Sequence, residues 1–350
     1  MMEQKSEMMI EGRVFSDDHR HIDASVLREI LDQLSLSERM LRARNIIVKP
    51  NFAGGSAVPR ESHAVSDTVF LRELVEAIHE LNPHARLAVA ESDSSGPGFA
   101  YDKFTNLGLT EWGLPYLELL DLSRDRLAKV EDGKFRYFGS VNGRLYLSER
   151  LMECDFFISA ANLKTHAVTK YTGGCKNLFG LLPRTEKFYY HTHISEVIHD
   201  LYFAKTPTLT IIDAFQGMEG NGPIIGKPID LGFRLWCCDA AEGDATAAVM
   251  IRIPPARVKH LKLILGNKEC KRIAALPLPR YNVHFRGKRL AFFNSFGLWL
   301  QERGDELLMY GHRSHSAYSF TLWGYLTLRP LLLRVISLDK LKELKKKWRH

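Results

Sequence analysis

Residues 155–183 read DFFISAANLKTHAVTKYTGGCKNLFGLLP, and this stretch decides the fold. It begins with the apolar run Phe-Phe-Ile at 156–158, which has no helical period and predicts a buried strand. Polar residues follow directly, and two glycines at 173–174 precede a second apolar segment that ends at Pro183. Binding and catalytic groups of α/β proteins lie on loops at the carboxyl ends of strands, so this stretch predicts a ligand site.

The adjacent glycines favour an anionic ligand. Glycines let the backbone approach a ligand and turn successive N–H groups toward it, and a helix beginning at about Gly174 would add positive charge at its N-terminus. Lys176 would lie in the first turn, where a cation opposes the helix dipole unless an anion is near. The alternative is a solvated loop whose lysines face water. The predicted ligand-binding residues here are Lys164, Thr172, Gly173, Gly174 and Asn177, with Lys176 as a catalytic residue.

His166 is the candidate acid–base group of this stretch, because imidazole titrates near neutral pH. With the lysines holding a carboxylate or phosphate, it could move a proton on the bound molecule.

The segment NLKTHAVTKYTGGCKNLFGLLP, residues 162–183, resembles the signature of the domain of unknown function 362 family. The matching elements are Lys-Thr-His at 164–166 and Thr-Gly-x-x-Lys-Asn-Leu-x-Gly at 172–180, and the resemblance extends over about residues 45–250. Many members carry a ferredoxin-like module with four cysteines. This chain has five cysteines and no Cys-x-x-Cys, so no ferredoxin-type cluster is expected.

A more distant resemblance is to the nickel-pincer lactate racemases, whose His…Ser-Gly-Gly-x-Lys motif is similar to His166, residues 173–174 and Lys176. It implies that the histidine is a proton-transfer base and that the lysine attaches the pincer nucleotide. A downstream histidine, His191 or His193, would ligate nickel. The cofactor itself stays unknown, and a nucleotide-derived group or a metal ion is compatible with this resemblance.

Two other strands are expected to end near the same crevice. Residues 45–48 predict a strand followed by Lys49-Pro50-Asn51, where the racemases carry Asp-His-Thr-Arg-Pro; Lys49 and Asn51 either face the ligand or form a simple turn. Residues 86–90 predict the next strand. Glu91 and Asp93 follow it, and they either bind a metal or ribose hydroxyls or form a polar turn.

The order of elements predicts the fold class. A helix over 66–81 between those two strands implies a right-handed crossover and a parallel sheet. Asp-Gly and Asn-Gly dipeptides within 130–147 predict an antiparallel insertion. A strand over 208–212 ends at Asp213, the candidate catalytic carboxylate, although a structural cap is the alternative. Gly222 follows in a turn that resembles one of the family.

The predicted fold is therefore α/β, with a mostly parallel sheet, flanking helices, an antiparallel insertion and a helical C-terminal extension. We expect an N-terminal helical extension over 1–44, the α/β core over 45–270 and a helical cap with a basic tail over 271–350. The net charge of +7 suits anionic partners without choosing among them. The chain begins without an apolar signal core, and its cysteine usage is typical of a reducing compartment, so a cytoplasmic location is expected.

These observations favour an enzyme that binds a small anionic molecule and catalyses isomerisation, or proton or hydride transfer, as in lactate racemases. One alternative is an iron–sulfur or redox accessory protein. Another is weak contact of the basic C-terminus with nucleic acid or a membrane surface. The sequence does not indicate an oligomeric state.

Overall fold

The structure is a computed structural model that describes residues 8–52, 62–94, 98–139, 144–166, 168–183, 187–220, 222–223 and 226–284. These residues fall within one unit of the chain, Met1–Phe285.

A mixed sheet runs through this unit, in the order β1-β2-β12-β10-β8-β3-β4-β5 with β9 on β8 and β11 on β10. The central strands β10, β8, β3, β4 and β5 are parallel, and the remaining pairs of this sheet are antiparallel. Strands β6 and β7 form a separate antiparallel pair. The strands are β1 (Met8–Ile10), β2 (Val14–Asp17), β3 (Asn45–Pro50), β4 (Arg86–Glu91), β5 (Leu117–Asp121), β6 (Leu127–Val130), β7 (Leu145–Ser148), β8 (Phe156–His166), β9 (Lys170–Thr172), β10 (Leu209–Glu219), β11 (Lys227–Ile229) and β12 (Arg234–Cys237).

Helices cover both faces of this sheet. They are α1 (Ala24–Gln33), α2 (Ser37–Arg42), α3 (Thr68–Leu81), α4 (Phe99–Asn106), α5 (Glu149–Glu153), α6 (Gly174–Asn177), α7 (Ile194–Ala204), α8 (Ala240–Met250) and α9 (Lys259–Ala274). Four short 3₁₀ helices span Leu109–Glu111, Leu178–Leu181, Lys187–His193 and Pro255–Arg257. Helix α9 is interrupted at Gly266, whose φ of 78° is a left-handed conformation that glycine adopts without strain.

The burial of strand β8 explains why its apolar residues show no periodic pattern. All eleven of its residues are buried, because helices pack on both faces. Phe156 and Ile158 join the core beneath α1 and α3, whereas Phe157 and Leu163 join the core beneath α7 and α8. The continuous apolar run is thus the pattern of a central parallel strand.

The predicted fold class is confirmed: the chain is α/β with a mostly parallel sheet, flanking helices and a small antiparallel sheet. Helix α3 begins at Thr68, with Asp67 as its N-cap, two residues after the predicted start.

The N-terminal segment contains the helices α1 and α2 within the expected helical extension, and it also contains two strands. Residues 8–10 and 14–17 are strands, and β2 pairs with β12 to widen the main sheet. Most of the expected cap over 271–350, including the basic tail, lies outside the described residues. Within the described part of the chain, no helix has the length and apolarity needed to cross a bilayer.

Candidate functional site

The parallel strands β3, β4 and β8 bring polar residues to one edge of the sheet. Lys49 is the next-to-last residue of β3 and is fully buried, and its Nζ lies 2.8 Å from Glu91 Oε2 at the end of β4. The same Nζ donates a 2.7 Å hydrogen bond to the carbonyl of Pro50. The second carboxylate oxygen of Glu91 accepts from the Ser92 backbone at 2.9 Å. Lys49 and Glu91 therefore form a buried ion pair, as parallel pairing of their strands predicts.

Lys164 of β8 lies nearby without a carboxylate. Its Nζ donates hydrogen bonds of 2.6 Å to Asn51 Oδ1 and to the carbonyl of Ala64. Complete burial, together with the charges of Lys176 and Lys103, holds its pKa well below the usual value. The side chain of Asn177 donates to the Lys49 carbonyl at 2.9 Å and thereby ties α6 to this network.

Three more lysines converge here from outside the sheet. Burial lowers the pKa of Lys103 on α4 to about 8, that of Lys176 on α6 to about 8 and that of Lys187 to about 7. The Lys187 Nζ donates to Ser92 Oγ at 2.6 Å. For Lys176, the described residues provide no hydrogen-bond acceptor; its Nζ lies 5.5 Å from the ring centre of Phe179. We call five side chains the lysine cluster: Lys49, Lys103, Lys164, Lys176 and Lys187.

The carboxylates within electrostatic reach of this cluster, among the described residues, are Glu91 and Asp93. Asp93 is already engaged, since its oxygens accept backbone hydrogen bonds from Gly98 at 3.0 Å and Ala100 at 2.9 Å at the start of α4. In the described part of the chain, the cations Lys49, Lys164, Lys176 and Lys187 thus outnumber the carboxylates Glu91 and Asp93. Such an excess of positive charge in a desolvated region favours binding of an anion.

His166 lies within electrostatic reach of Lys176, as the ligand-site prediction requires. Its Nδ1 accepts hydrogen bonds from the backbone N–H groups of Val168 at 3.1 Å and Thr169 at 3.3 Å. Burial first, and Lys176 second, hold its pKa well below 6.5, so the ring is neutral at pH 7. With the Nδ1 lone pair occupied, the proton is on Nε2. His166 is therefore placed to donate a hydrogen bond, and the predicted role as a base is at odds with this geometry.

The anion that binds the glycine turn belongs to the protein itself. Asp244 of α8 accepts hydrogen bonds from the backbone N–H groups of Gly174 at 2.7 Å and Cys175 at 2.9 Å. A Cβ on Gly173 would overlap the Asp244 carboxylate and the Tyr171 hydroxyl. The N–H of Gly174 is thus occupied by a carboxylate of the protein, and the lack of a side chain at Gly173 lets α6 approach Asp244 on α8. The ligand-binding role of the two glycines stays a prediction.

Asp213 lies on the other face of the sheet. Its neighbour Ile212 packs in the core beneath α8, so Asp213 points toward α3, where its Oδ1 is 3.3 Å from Arg234 Nε. The Arg234 guanidinium in turn lies 3.8 Å from the ring centre of Phe70. Arg234 thus occupies the Asp213 carboxylate, and the catalytic role of Asp213 stays a prediction.

For Gly222 and Thr172, which were also predicted to bind the ligand, the neighbours are parts of the protein chain. A Cβ on Gly222 would overlap the backbone carbonyl of Thr165, so close chain packing accounts for this glycine. Thr172 pairs with Lys164 across β8 and β9, and its buried Oγ1 has no hydrogen-bond partner among the described residues.

The two histidines predicted as metal ligands contact different rings. His191 lies 5.5 Å from Phe179 and His193 lies 5.4 Å from Tyr137, measured between ring centres. His191 is also within electrostatic reach of His166. Over the described ranges, no group of three or more histidine, cysteine or carboxylate side chains could hold a metal ion.

Sequence reasoning missed two residues of this site, Lys103 and Lys187. A signal existed for Lys103, because it lies between the buried residues Ala100 and Phe104 on the apolar face of α4. Nothing local distinguishes Lys187, which reaches the site only through tertiary packing.

The buried lysines predict an unusual pH dependence. Lys176 and Lys187 have pKa values of about 8 and 7, against 10.5 for an ordinary lysine, so the unfolded chain binds more protons above pH 7. The free energy of unfolding should therefore rise by at least ~1 kcal/mol between pH 7 and 8.5. Asp244, with a pKa of about 7, titrates mainly below this window. Burial raises the thiol pKa values of Cys175 and Cys237, which opposes a further increase above that window.

Urea denaturation at several pH values measures this effect. A free energy of unfolding that falls between pH 7 and 8.5 would contradict the burial of charged lysines. The double variant Lys176→Met and Lys187→Met should flatten the dependence, because it removes two of the groups that titrate.

Comparison with known proteins relates this chain to a family. The chain is 27% identical over 240 residues to a thylakoid-associated protein of Synechocystis sp., covering 66% of this chain and 71% of that protein. Among solved structures, the lactate racemase apoprotein of Thermoanaerobacterium thermosaccharolyticum is 14% identical with a TM-score of 0.38, covering 54% of this chain and 46% of that one. A Thermotoga maritima protein is 13% identical with a TM-score of 0.34, covering 70% and 60%.

Both TM-scores are below 0.5, so these two similarities carry no conclusion about activity. The sequence match is more informative, since the model of one family covers residues 46–249, which is more than half of the chain. The chain therefore belongs to the domain of unknown function 362 (DUF362) family.

Proposed function

We propose that the lysine cluster binds a small anion, a carboxylate or a phosphate, and that the protein is an enzyme acting on it. The observation that carries this proposal is the charge imbalance at the edge of the sheet, where Lys176 has no acceptor among the described residues. A bound anion would lower the cost of burying these cations and would raise their pKa values. Structural ion pairs alone would be expected to match lysines with carboxylates more evenly.

The proposed chemistry is proton transfer at a carbon beside the anionic group. Lys176 has a pKa of about 8 without a ligand; the bound anion raises this pKa, and the fraction of Lys176 that stays unprotonated can accept a proton. The Nε2–H of His166 can donate a hydrogen bond to the charge that develops on the ligand. This assignment exchanges the roles that the racemase resemblance implies for the two side chains.

The racemase resemblance implies a single histidine on nickel, either His191 or His193, and these two side chains pack on different rings. The described residues form no metal site made of three or more protein ligands. We therefore assign no step to a metal ion.

Thermal unfolding with a panel of anions tests the proposal. The probes are phosphate, pyrophosphate, malonate and lactate, so that phosphate-type and carboxylate-type ligands are compared directly. At a concentration of one hundred times Kd, a ligand stabilises the folded state by ~2.7 kcal/mol. We expect at least one probe to raise Tm for the wild type.

Lys176→Ala should lose most of this increase in Tm. The matched control is Lys262→Ala, which removes an exposed lysine from α9 and the same charge. The control should respond as the wild type does. Equal responses of Lys176→Ala and the wild type would remove Lys176 from the site, and no response of the wild type to any probe would overturn the proposal.

The basic tail at residues 338–350 lies outside the described residues, and its contact with nucleic acid or membranes stays a separate prediction. Steep salt dependence of binding that disappears on deleting those residues would support it.

A further inference from the structure

His260 is a buried histidine that the fold itself does not use. It is the second residue of α9, its side chain is fully buried, and neither Nδ1 nor Nε2 has a hydrogen-bond partner among the described residues. Buried polar groups are nearly always hydrogen-bonded, because leaving them unpaired costs free energy. An apolar side chain of similar size would pack here without that cost, so the histidine calls for another explanation.

The surroundings of His260 connect it with the lysine cluster. It lies within electrostatic reach of both Lys176 and His166, and burial together with Lys176 lowers its pKa to about 3, which keeps the ring neutral. Helix α9 packs against α7 and α8. The acidic side chains there are engaged elsewhere: Glu196 binds Lys259 at 2.6 Å, and Asp244 binds the amides at the start of α6.

His260 also has a capacity that His166 lacks. The Nδ1 lone pair of His166 is occupied by two backbone N–H groups, so that ring can only donate. A neutral His260 offers one N–H donor and one free lone pair. It can therefore donate to an anionic oxygen or accept a proton or hydrogen bond from the bound molecule.

We propose that His260 is a ligand-binding residue of this site and hydrogen-bonds the anion held by the lysine cluster. This inference rests on the proposed function, and it adds a contact from α9. His260 lies beyond residues 46–249, which match the family model, so the family match does not include it. The binding site would thus be completed by a helix that follows the matched region.

The test uses His260→Leu, which removes both unpaired ring nitrogens. Without ligand, the variant should be at least as stable as the wild type in urea. Its affinity for the panel anion that stabilises the wild type most should fall at least tenfold. The matched control is His79→Leu on α3, which also removes a histidine with an unpaired Nδ1 and lies on the other face of the sheet. That control should bind the anion with unchanged affinity.

A second measurement does not depend on the leucine variant. In protein labelled with ¹⁵N-histidine, the ring-nitrogen signals of His260 are assigned by their absence from the spectrum of His260→Gln. These signals should shift when the same anion is added.

The outcomes separate the two proposals. If no anion stabilises the wild type, the proposed function fails. If the wild type binds an anion but His260→Leu binds it equally well, or the His260 signals do not move, only the role of His260 is overturned.

Discussion

Asp244→Ala is expected to destabilise the folded state by ~4 kcal/mol, the largest effect of any single substitution considered for this protein. The carboxylate accepts the backbone N–H groups of Gly174 and Cys175, and alanine would leave both donors buried without an acceptor. The Tyr171 hydroxyl, 3.3 Å from the same carboxylate, would lose its partner as well. Urea denaturation at pH 8, where the Asp244 carboxyl is mainly ionised, measures the change.

The control for this substitution is Glu242→Ala on the same helix. Glu242 pairs at 2.8 Å with Arg13, whose side chain is 54% exposed, so its loss should cost less than ~1 kcal/mol. Equal losses for the two variants would mean that Asp244 does not hold the start of α6. Asp244→Asn should fall between them, because its amide oxygen can accept one N–H whereas its NH₂ group faces the other.

Glu91→Gln is expected to destabilise the ligand-free protein by ~3 kcal/mol. The substitution keeps the volume of the side chain but leaves the buried ammonium group of Lys49 without its carboxylate. It also increases the excess positive charge of the lysine cluster. The variant should therefore gain more stability than the wild type from the same anion, and this gain distinguishes it from a variant with a general packing defect.

Thermal and urea unfolding with and without pyrophosphate provide both measurements. Glu80→Gln, at an exposed position of α3, is the matched control and should change neither value. A Glu91→Gln protein as stable as the wild type would show that Lys49 is neutral or solvated. A destabilised variant with no increased response to pyrophosphate would argue against an anion site at this edge of the sheet.

The local pattern of apolar residues was sufficient to predict three central strands and one helix of the fold. The apolar runs at 45–48, 86–90 and 156–158 are strands because each is buried on the sheet, and the apolar face between the first two forms α3. Parallel pairing of these strands then places Lys49, Glu91 and Lys164 at one edge.

Contacts between residues that are distant in sequence could not be predicted from local patterns. The sequence predicted an anionic ligand at the glycine turn, but the carboxylate that binds its backbone lies seventy positions away from Gly174 on α8. The hydrophobic period of a strand or helix, two or 3.6 residues, does not indicate which acidic side chain accepts a hydrogen bond from which backbone N–H. The strands β1 and β2 were missed for the same reason, because they are short and owe their stability to β12.

The alternation of side chains along β10 determines which face of the sheet Asp213 occupies. Chain order predicted a strand that ends at Asp213, whereas β10 continues to Glu219, and it did not predict which face of the sheet Asp213 occupies. Because side chains alternate between faces, a register one residue different would have directed this carboxylate to α8 instead of Arg234. The pairing of Asp213 with Arg234 depends on β12, which follows it by more than twenty residues.

The attachment of α6 to α8 has a mechanical consequence. Lys176 belongs to α6, a helix of only four residues. The Asp244 carboxylate on α8 holds the start of this helix and therefore the position of the Lys176 backbone. At the far end of α8, the carbonyl of Met250 accepts the backbone N–H of Tyr281 at 2.7 Å. One helix, α8, therefore holds both the start of α6 and the chain at Tyr281.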